Sequence, residues 1–64
     1  MKITDRVKSI KGVESAYWNS HLCILTVYYS NLVPLDSIKI GVTAEVKDAG
    51  LVRAVDSYIF ISLQ

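Results

Sequence analysis

The first eleven residues space their apolar side chains with the period of an α-helix. Ile3, Val7 and Ile10 fall at i, i+4 and i+7, which places them on one side of a helix over residues 3–11. Gly12 follows the last predicted turn, where a residue in the left-handed conformation commonly ends a helix. The pattern therefore predicts a short amphipathic helix.

A second helical pattern occupies residues 34–49. Pro34 suits the first helical position, because its ring fixes φ and its missing N–H would have had no partner there. Gly50 predicts the end of the helix. Gly41 lies in the middle, where glycine costs about 1 kcal/mol relative to alanine; close approach of a neighbouring backbone would explain it, and so would chance. The apolar side consists of Leu35, Ile38, Val42, Val46 and Ala49.

Two β-branched and aromatic runs, separated by a polar break, predict a β-hairpin between the helices. The predicted strands span residues 13–19 and 22–29, with Asn19, Ser20 and His21 in the turn. Alternation gives the first strand one face of Val13, Ser15, Tyr17 and Asn19 and another of Glu14, Ala16 and Trp18. It gives the second strand one face of Cys23, Leu25, Val27 and Tyr29 and another of Leu22, Ile24, Thr26 and Tyr28.

The last fourteen residues fit either one long strand or two strands that turn at Asp56 and Ser57. A single strand would mix Arg53 with core residues on one face. Two strands would instead give a purely apolar face of Val52, Ala54, Ile59, Ile61 and Leu63, so we favour the hairpin. The prediction is a single α+β domain over residues 1–64, with the order α-β-β-α-β-β and an antiparallel four-stranded sheet that carries both helices on one face.

The middle of the chain resembles the heavy-metal-associated domain, the family of small metallochaperones. Residues 12–16, Gly-Val-Glu-Ser-Ala, are similar to the Gly-Val turn after the first helix of that family. Residues 25–29, Leu-Thr-Val-Tyr-Tyr, are similar to its third strand, and Ala49-Gly50 to the end of its second helix. The resemblance implies a ferredoxin-like two-layer sandwich with strand order 4-1-3-2. The osmotically induced and nodulation domain, with the order helix-strand-strand-helix-strand, is a weaker match.

This chain lacks the first strand of the metallochaperones and its Met-x-Cys-x-x-Cys motif, which binds a soft cation through two thiolates. No metal site carries over from the family. The missing strand would leave a gap in the middle of the sheet, which the apolar segment 58–63 could fill. The expectation is a circularly permuted ferredoxin-like fold; the alternative is that a partner chain fills the gap. Placement of residues 58–63 at a sheet edge would count against the permutation.

On the hairpin prediction, the sheet face away from the helices carries an aromatic and apolar patch. Patches of this kind usually mark an interface. Stacking of ligands or single-stranded nucleic acid is the alternative, but only one basic residue is expected on this face, and phosphate binding requires several. The predicted interface residues are Tyr17, Ile24, Tyr28, Arg53, Tyr58 and Phe60, with Thr26 and Val55 on the same face.

Composition narrows the function classes. The chain is 52% hydrophobic with a mean hydropathy of +0.35, yet its longest nearly apolar run, residues 22–29, is far shorter than the roughly twenty residues that span a bilayer. The charged start shows no signal peptide pattern, so we expect a cytoplasmic protein without membrane association. A net charge of +1 disfavours nucleic acid as a partner.

The reactive side chains do not form a recognisable catalytic or metal-binding set. His21 and Cys23 are weak candidates for a metal site, because two soft ligands at the end of a hairpin make a poor one. Nucleophilic catalysis needs a base beside a nucleophile and a third group that orients it, and the sequence shows no such arrangement. We therefore expect a non-enzymatic domain without a cofactor.

Two function classes remain. The first is a protein-interaction or assembly module that forms a homo-oligomer or binds a protein partner through the open sheet face. The second is a small-ligand or metal-binding domain related to the metallochaperones, with the usual site lost. The high apolar content of so short a chain favours the first, because domains of this size bury only about 60% of their unfolded surface and are marginally stable alone.

Overall fold

The computed structural model describes residues 2–63, and within them the chain forms two helices and three strands. The elements in chain order are α1 (Ile3–Lys8), β1 (Val13–Asn19), β2 (Ile24–Tyr29), α2 (Leu35–Asp48) and β3 (Ser57–Ser62). The strand order is β1-β2-β3, with β1 antiparallel and β3 parallel to the central β2. Neither helix of this part of the chain is long and apolar enough to cross a membrane.

One hydrophobic core joins both helices to one face of the sheet. From α2, Ile38, Val42 and Val46 are fully buried, as are Leu25 and Val27 of β2. The predicted apolar sides of the helices are confirmed, as is the predicted inward direction of Leu25, Val27 and Tyr29 in β2. Cys23 was predicted on the same face, but it precedes the strand, which begins at Ile24. The remaining buried members of the core are Ile3 and Val7 of α1, Val13 of β1 and Val55 of the last turn.

The prediction of a four-stranded antiparallel sheet is wrong, because residues 51–55 form a turn instead of a strand. The carbonyl of Leu51 accepts hydrogen bonds from the N–H groups of Ala54 (3.0 Å) and Val55 (3.2 Å). These backbone groups are satisfied locally and cannot join a ladder. The order of elements is α-β-β-α-β, with a three-stranded mixed sheet.

The expected circular permutation is overturned by the position of β3. Its residues pair with β2 in parallel, from Ile24 opposite Ser57 to Tyr29 opposite Ser62. No other strand of residues 2–63 pairs with the outer side of β3, so the strand lies at an edge instead of in the middle of a sheet. The hairpin expected at Asp56 and Ser57 is absent for the same reason.

The end of α2 directs the chain into this turn. Gly50 has a φ of +73°; its N–H bonds the carbonyl of Lys47 (3.0 Å), and the N–H of Leu51 bonds the carbonyl of Val46 (3.0 Å). These two bonds form a Schellman motif. The predicted helix end at Gly50 is confirmed. Leu51, the residue after the glycine, packs against the core and ties the turn to it.

The other helix is shorter than predicted. α1 ends at Lys8, and residues 9–12 form turns that carry Ile10 against the core. Gly12 then has a φ of +96°, which explains why a glycine precedes β1. A Cβ built at Gly12 would lie 2.8 Å from Val33 Cγ2 and 2.9 Å from Ile38 Cδ1, so the site is both left-handed and crowded.

We expect Gly12→Ala to lower the free energy of unfolding by more than Gly50→Ala does. Both changes force an L-residue into a left-handed conformation, at a cost of roughly 1–2 kcal/mol. Only Gly12 adds a steric clash, because nothing lies within 4 Å of a Cβ at Gly50. Urea unfolding of both variants measures the difference, and equal losses of stability would contradict the close packing at Gly12.

Gly41 in the middle of α2 faces the side chain of Ile10, in the turns after α1, and not a neighbouring backbone. A Cβ at Gly41 would lie 3.1 Å from Ile10 Cγ2. We expect Gly41→Ala to stabilise an Ile10→Ala background by about 1 kcal/mol, the difference in helix propensity. In the wild-type background the gain is smaller or reversed, because Ile10 must move. A double-mutant cycle measures this coupling; the same effect in both backgrounds would contradict it.

Candidate interaction surface

The sheet face opposite the helices is formed by alternate residues of the three strands. Because Leu25 and Val27 point into the core, their neighbours in β2 point to the other side. The strand register then groups this face into rows of three. The rows, which together make the open face, are Asn19–Ile24–Ser57, Tyr17–Thr26–Ile59 and Ser15–Tyr28–Ile61.

The open face is uncharged and carries five aromatic or aliphatic side chains among its nine positions. Its positions hold tyrosine, isoleucine, threonine, serine and asparagine, without a single lysine, arginine, aspartate or glutamate. Tyr17 is 58% exposed, Ile59 42% and Ile61 39%, while the β2 residues between them are half-buried. Leu63, just after β3, is also exposed and extends the patch. A contiguous apolar surface of this kind indicates an interaction site.

The structure places three of the six predicted interface residues, Tyr17, Ile24 and Tyr28, on the open face, together with Thr26. Arg53 lies in the exposed turn after α2, away from the strands, and Val55 belongs to the core. These two placements differ from expectation because the segment that contains them is not a strand.

Tyr58 and Phe60 point to the helix side of the sheet, in contrast to the prediction. They lie opposite Leu25 and Val27 in the parallel register, and neighbouring residues of paired strands share a face. Their rings stack with centroids 6.4 Å apart, and Lys39 Nζ of α2 lies 5.8 Å from the centre of the Phe60 ring. Tyr58 nevertheless remains 37% exposed.

Ile59 and Ile61 are the open-face residues that sequence reasoning missed. It assigned them to the apolar inner face, because the hairpin prediction counted their parity from a turn at Asp56 and Ser57. In the structure the parity is set instead by pairing with β2, where Ile59 lies opposite Thr26 and Ile61 opposite Tyr28. The only sequence signal that could have placed Ile59 and Ile61 on the open face is the predicted buried face of β2.

β1 also departs from simple alternation. The register shifts between Val13 and Ser15, so that Glu14 is an extra residue and Val13 turns into the core. This bulge separates Val13 from the face of Ser15 and Tyr17, with which the sequence pattern grouped it. It leaves Glu14 exposed at the start of the strand.

His21 and Cys23 lie in the turn between β1 and β2 and form no metal site with other residues. Asn19 Oδ1 accepts hydrogen bonds from the N–H groups of His21 and Leu22, both at 3.0 Å, and thereby holds the turn. The Cys23 thiol lies 3.8 Å from the carbonyl oxygen of Ser20. Within residues 2–63 no three His, Cys, Asp or Glu side chains are grouped so that they could hold a metal ion.

Two surface depressions lie beside the strands. The larger, about 540 Å³, lies between the start of α1 and β1 and is lined by Lys2, Ile3, Thr4, Ala16, Tyr17 and Trp18. The smaller, about 240 Å³, is lined by Glu14, Ser30, Asn31 and Leu63.

No protein-family model matches this chain, and no curated protein or solved structure shows significant similarity to it.

Cys23 adopts a strained backbone conformation, with a φ of +56°. A left-handed conformation costs an L-residue roughly 1–2 kcal/mol. We therefore expect Cys23→Gly to match or exceed the wild type in thermal stability and Cys23→Val to fall below it, since β-branched residues tolerate positive φ least. Thermal unfolding by circular dichroism compares the two variants, and a valine variant as stable as the glycine variant would contradict this account.

Proposed function

We propose that this domain is a non-catalytic protein-interaction module that self-associates through its open face. The observation that carries the proposal is the exposure of Tyr17, Ile59 and Ile61 on one uncharged face of the sheet. Burial of such surface yields about 25 cal/mol per Å² of apolar area removed from water. A sheet that packs a second layer on this face would resemble the interior of a sandwich.

The absence of charge favours a second copy of the chain as the occupant. In a two-fold interface each patch meets itself, so any charged residue near the axis would face its own copy. The nine open-face positions contain no such charge, and the whole chain carries only +1. Two copies can therefore approach without the like-charge repulsion that opposes self-association.

The face is also poorly suited to nucleic acid. It presents Tyr17 and Tyr28 as aromatic rings but no basic side chain among its nine positions. Binding of nucleic acid draws most of its affinity from neutralised phosphates, which requires lysine or arginine. A protein surface is therefore the better partner on chemical grounds.

We expect Thr26→Lys to abolish self-association through the open face. Thr26 lies in the middle row of the face, between Tyr17 and Ile59, so a lysine there would be buried in any face-to-face contact. An unpaired buried charge opposes association strongly. Analytical ultracentrifugation over a range of concentrations measures the change in mass.

Ala44→Lys is the matched control for this experiment. Ala44 is exposed on α2, in the opposite layer of the domain. A lysine at this position adds the same charge as Thr26→Lys but lies away from the open face. The control keeps the wild-type mass. Equal association of Thr26→Lys and wild type, with both folded by circular dichroism, would contradict the proposed function.

A further inference from the structure

The outer edge of β3 is a second exposed surface, because this strand is less covered than β2. Five of its six residues are exposed, and only Phe60 is half-buried. In β2, by contrast, two residues are buried and four are half-buried. β3 is nevertheless as apolar as a central strand, with Tyr, Ile, Phe and Ile in sequence and no charged residue between Ser57 and Leu63.

The backbone of β3 presents hydrogen-bonding groups to solvent at alternate residues. The N–H groups of Ser57 and Leu63 bond the carbonyls of Cys23 and Tyr29, which shows that odd-numbered residues direct their N–H toward β2. Since successive residues of a strand direct these groups to opposite sides, Tyr58 and Phe60 direct theirs outward. An edge of this kind is a template for the addition of another strand.

The opposite edge of the same sheet carries features that discourage pairing. β1 has a register irregularity between Val13 and Ser15 and an exposed carboxylate at Glu14. Bulges and charges are the devices by which edge strands avoid association. β3 shows no register shift along its pairing with β2, no proline and no charge within residues 57–63. The contrast between the two edges assigns the pairing role to β3.

We propose that β3 pairs antiparallel with β3 of a second copy, so that two three-stranded sheets join into one six-stranded sheet. The sequence around Phe60 is self-complementary, because Ile59 and Ile61 flank it symmetrically. A two-fold axis at Phe60 places each Phe60 opposite its own copy on the helix side and Ile59 opposite Ile61 on the open face. Aromatic and β-branched pairs of this kind stabilise neighbouring strands.

The hydrogen-bonding pattern is compatible with this register. A two-fold axis at Phe60 places the outward backbone groups of Phe60 opposite those of its own copy. An axis between Ile59 and Phe60 would pair even with odd residues and leave the outward groups unmatched. Among the registers that match outward groups, the symmetric Ile-Phe-Ile sequence favours the axis at Phe60.

Edge pairing also enlarges the open face, which is small in a single copy. Three strands about 4.8 Å apart and about 20 Å long cover roughly 280 Å². A stable protein interface buries about 800 Å² on each partner. Joining two sheets at β3 doubles the continuous open face, because Ile59 and Ile61 of both copies meet along the seam. Edge pairing rests on backbone groups and does not require the proposed packing of open faces.

The test compares Tyr58→Pro with Tyr58→Ala in the full chain. Both substitutions remove the tyrosine ring that stacks on Phe60. Only proline also removes the outward N–H of residue 58, and it leaves the hydrogen bonds to β2 in place. Analytical ultracentrifugation at up to high micromolar concentration measures the mass. We expect Tyr58→Ala to keep the edge-paired dimer and Tyr58→Pro to lose it, with a dimer dissociation constant at least tenfold higher, while circular dichroism shows both to be folded.

The register is tested on the wild-type chain by isotope-filtered NMR on a mixture of labelled and unlabelled protein. The predicted register gives an intermolecular NOE between the Hα protons of Ile59 and Ile61, which lie opposite each other as a non-hydrogen-bonded pair. This measurement stands even where the proline variant does not fold. Absence of that NOE in a dimer overturns the register.

The outcomes separate the two proposals. A mass that falls in Tyr58→Pro but not in Thr26→Lys supports edge pairing and contradicts packing of the open faces. The reverse pattern supports the proposed function and overturns the edge inference. A wild-type chain that stays monomeric at these concentrations overturns self-association at both surfaces, and leaves a different protein as the occupant.

Discussion

The packing of α2 against β2 is the contact on which the rest of the structure depends. Ile38, Val42 and Val46 meet Leu25 and Val27 in a core from which water is fully excluded. Because side chains alternate along a strand, burial of these two β2 residues forces the residues between them to the opposite side. The open face is therefore a direct consequence of the core. Only a second layer packed on this face would remove it from solvent.

The same contact determines how β3 enters the sheet. α2 carries the chain back across β2, and a strand that follows such a crossover helix can pair with it in parallel. The Schellman motif at Gly50 and the turn of residues 51–55 use the intervening backbone groups locally. Asp56 and Ser57 then donate their N–H groups to the carbonyl of Cys23 (2.7 and 3.3 Å), which starts the parallel ladder. Nothing is left in the described chain to pair with the far side of β3.

The sequence predicted the elements whose signals are local and failed where the deciding interaction is distant. Helical periodicity located the stripe of Ile38, Val42 and Val46, and alternation located the buried face of β2. For the last segment, separation of apolar from polar positions favoured a hairpin at Asp56 and Ser57. The actual constraint is the capping of α2 at Gly50, together with pairing to a strand thirty residues earlier. Alternation within the segment carries no information about that partner.

The prediction of the open face was right for residues of β1 and β2 and wrong for residues of β3. Tyr17, Ile24 and Tyr28 were assigned to the open face because β1 and β2 were assigned correctly. Tyr58 and Phe60 were assigned to the wrong face because a turn two residues before them set their parity, and the same error concealed Ile59 and Ile61. A one-residue change in register exchanges the two faces of a strand.

A chain of 64 residues cannot cover both faces of a sheet and both of its edges with two helices. In this chain both helices pack on one face of the sheet, and the bulge at Glu14 disfavours pairing at the β1 edge. The open face and the β3 edge stay exposed. These two exposed surfaces share Ile59 and Ile61, whose side chains lie on the face while their strand forms the edge. Strand pairing at the edge would therefore order the same side chains that face packing needs, and each contact would reduce the entropic cost of the other.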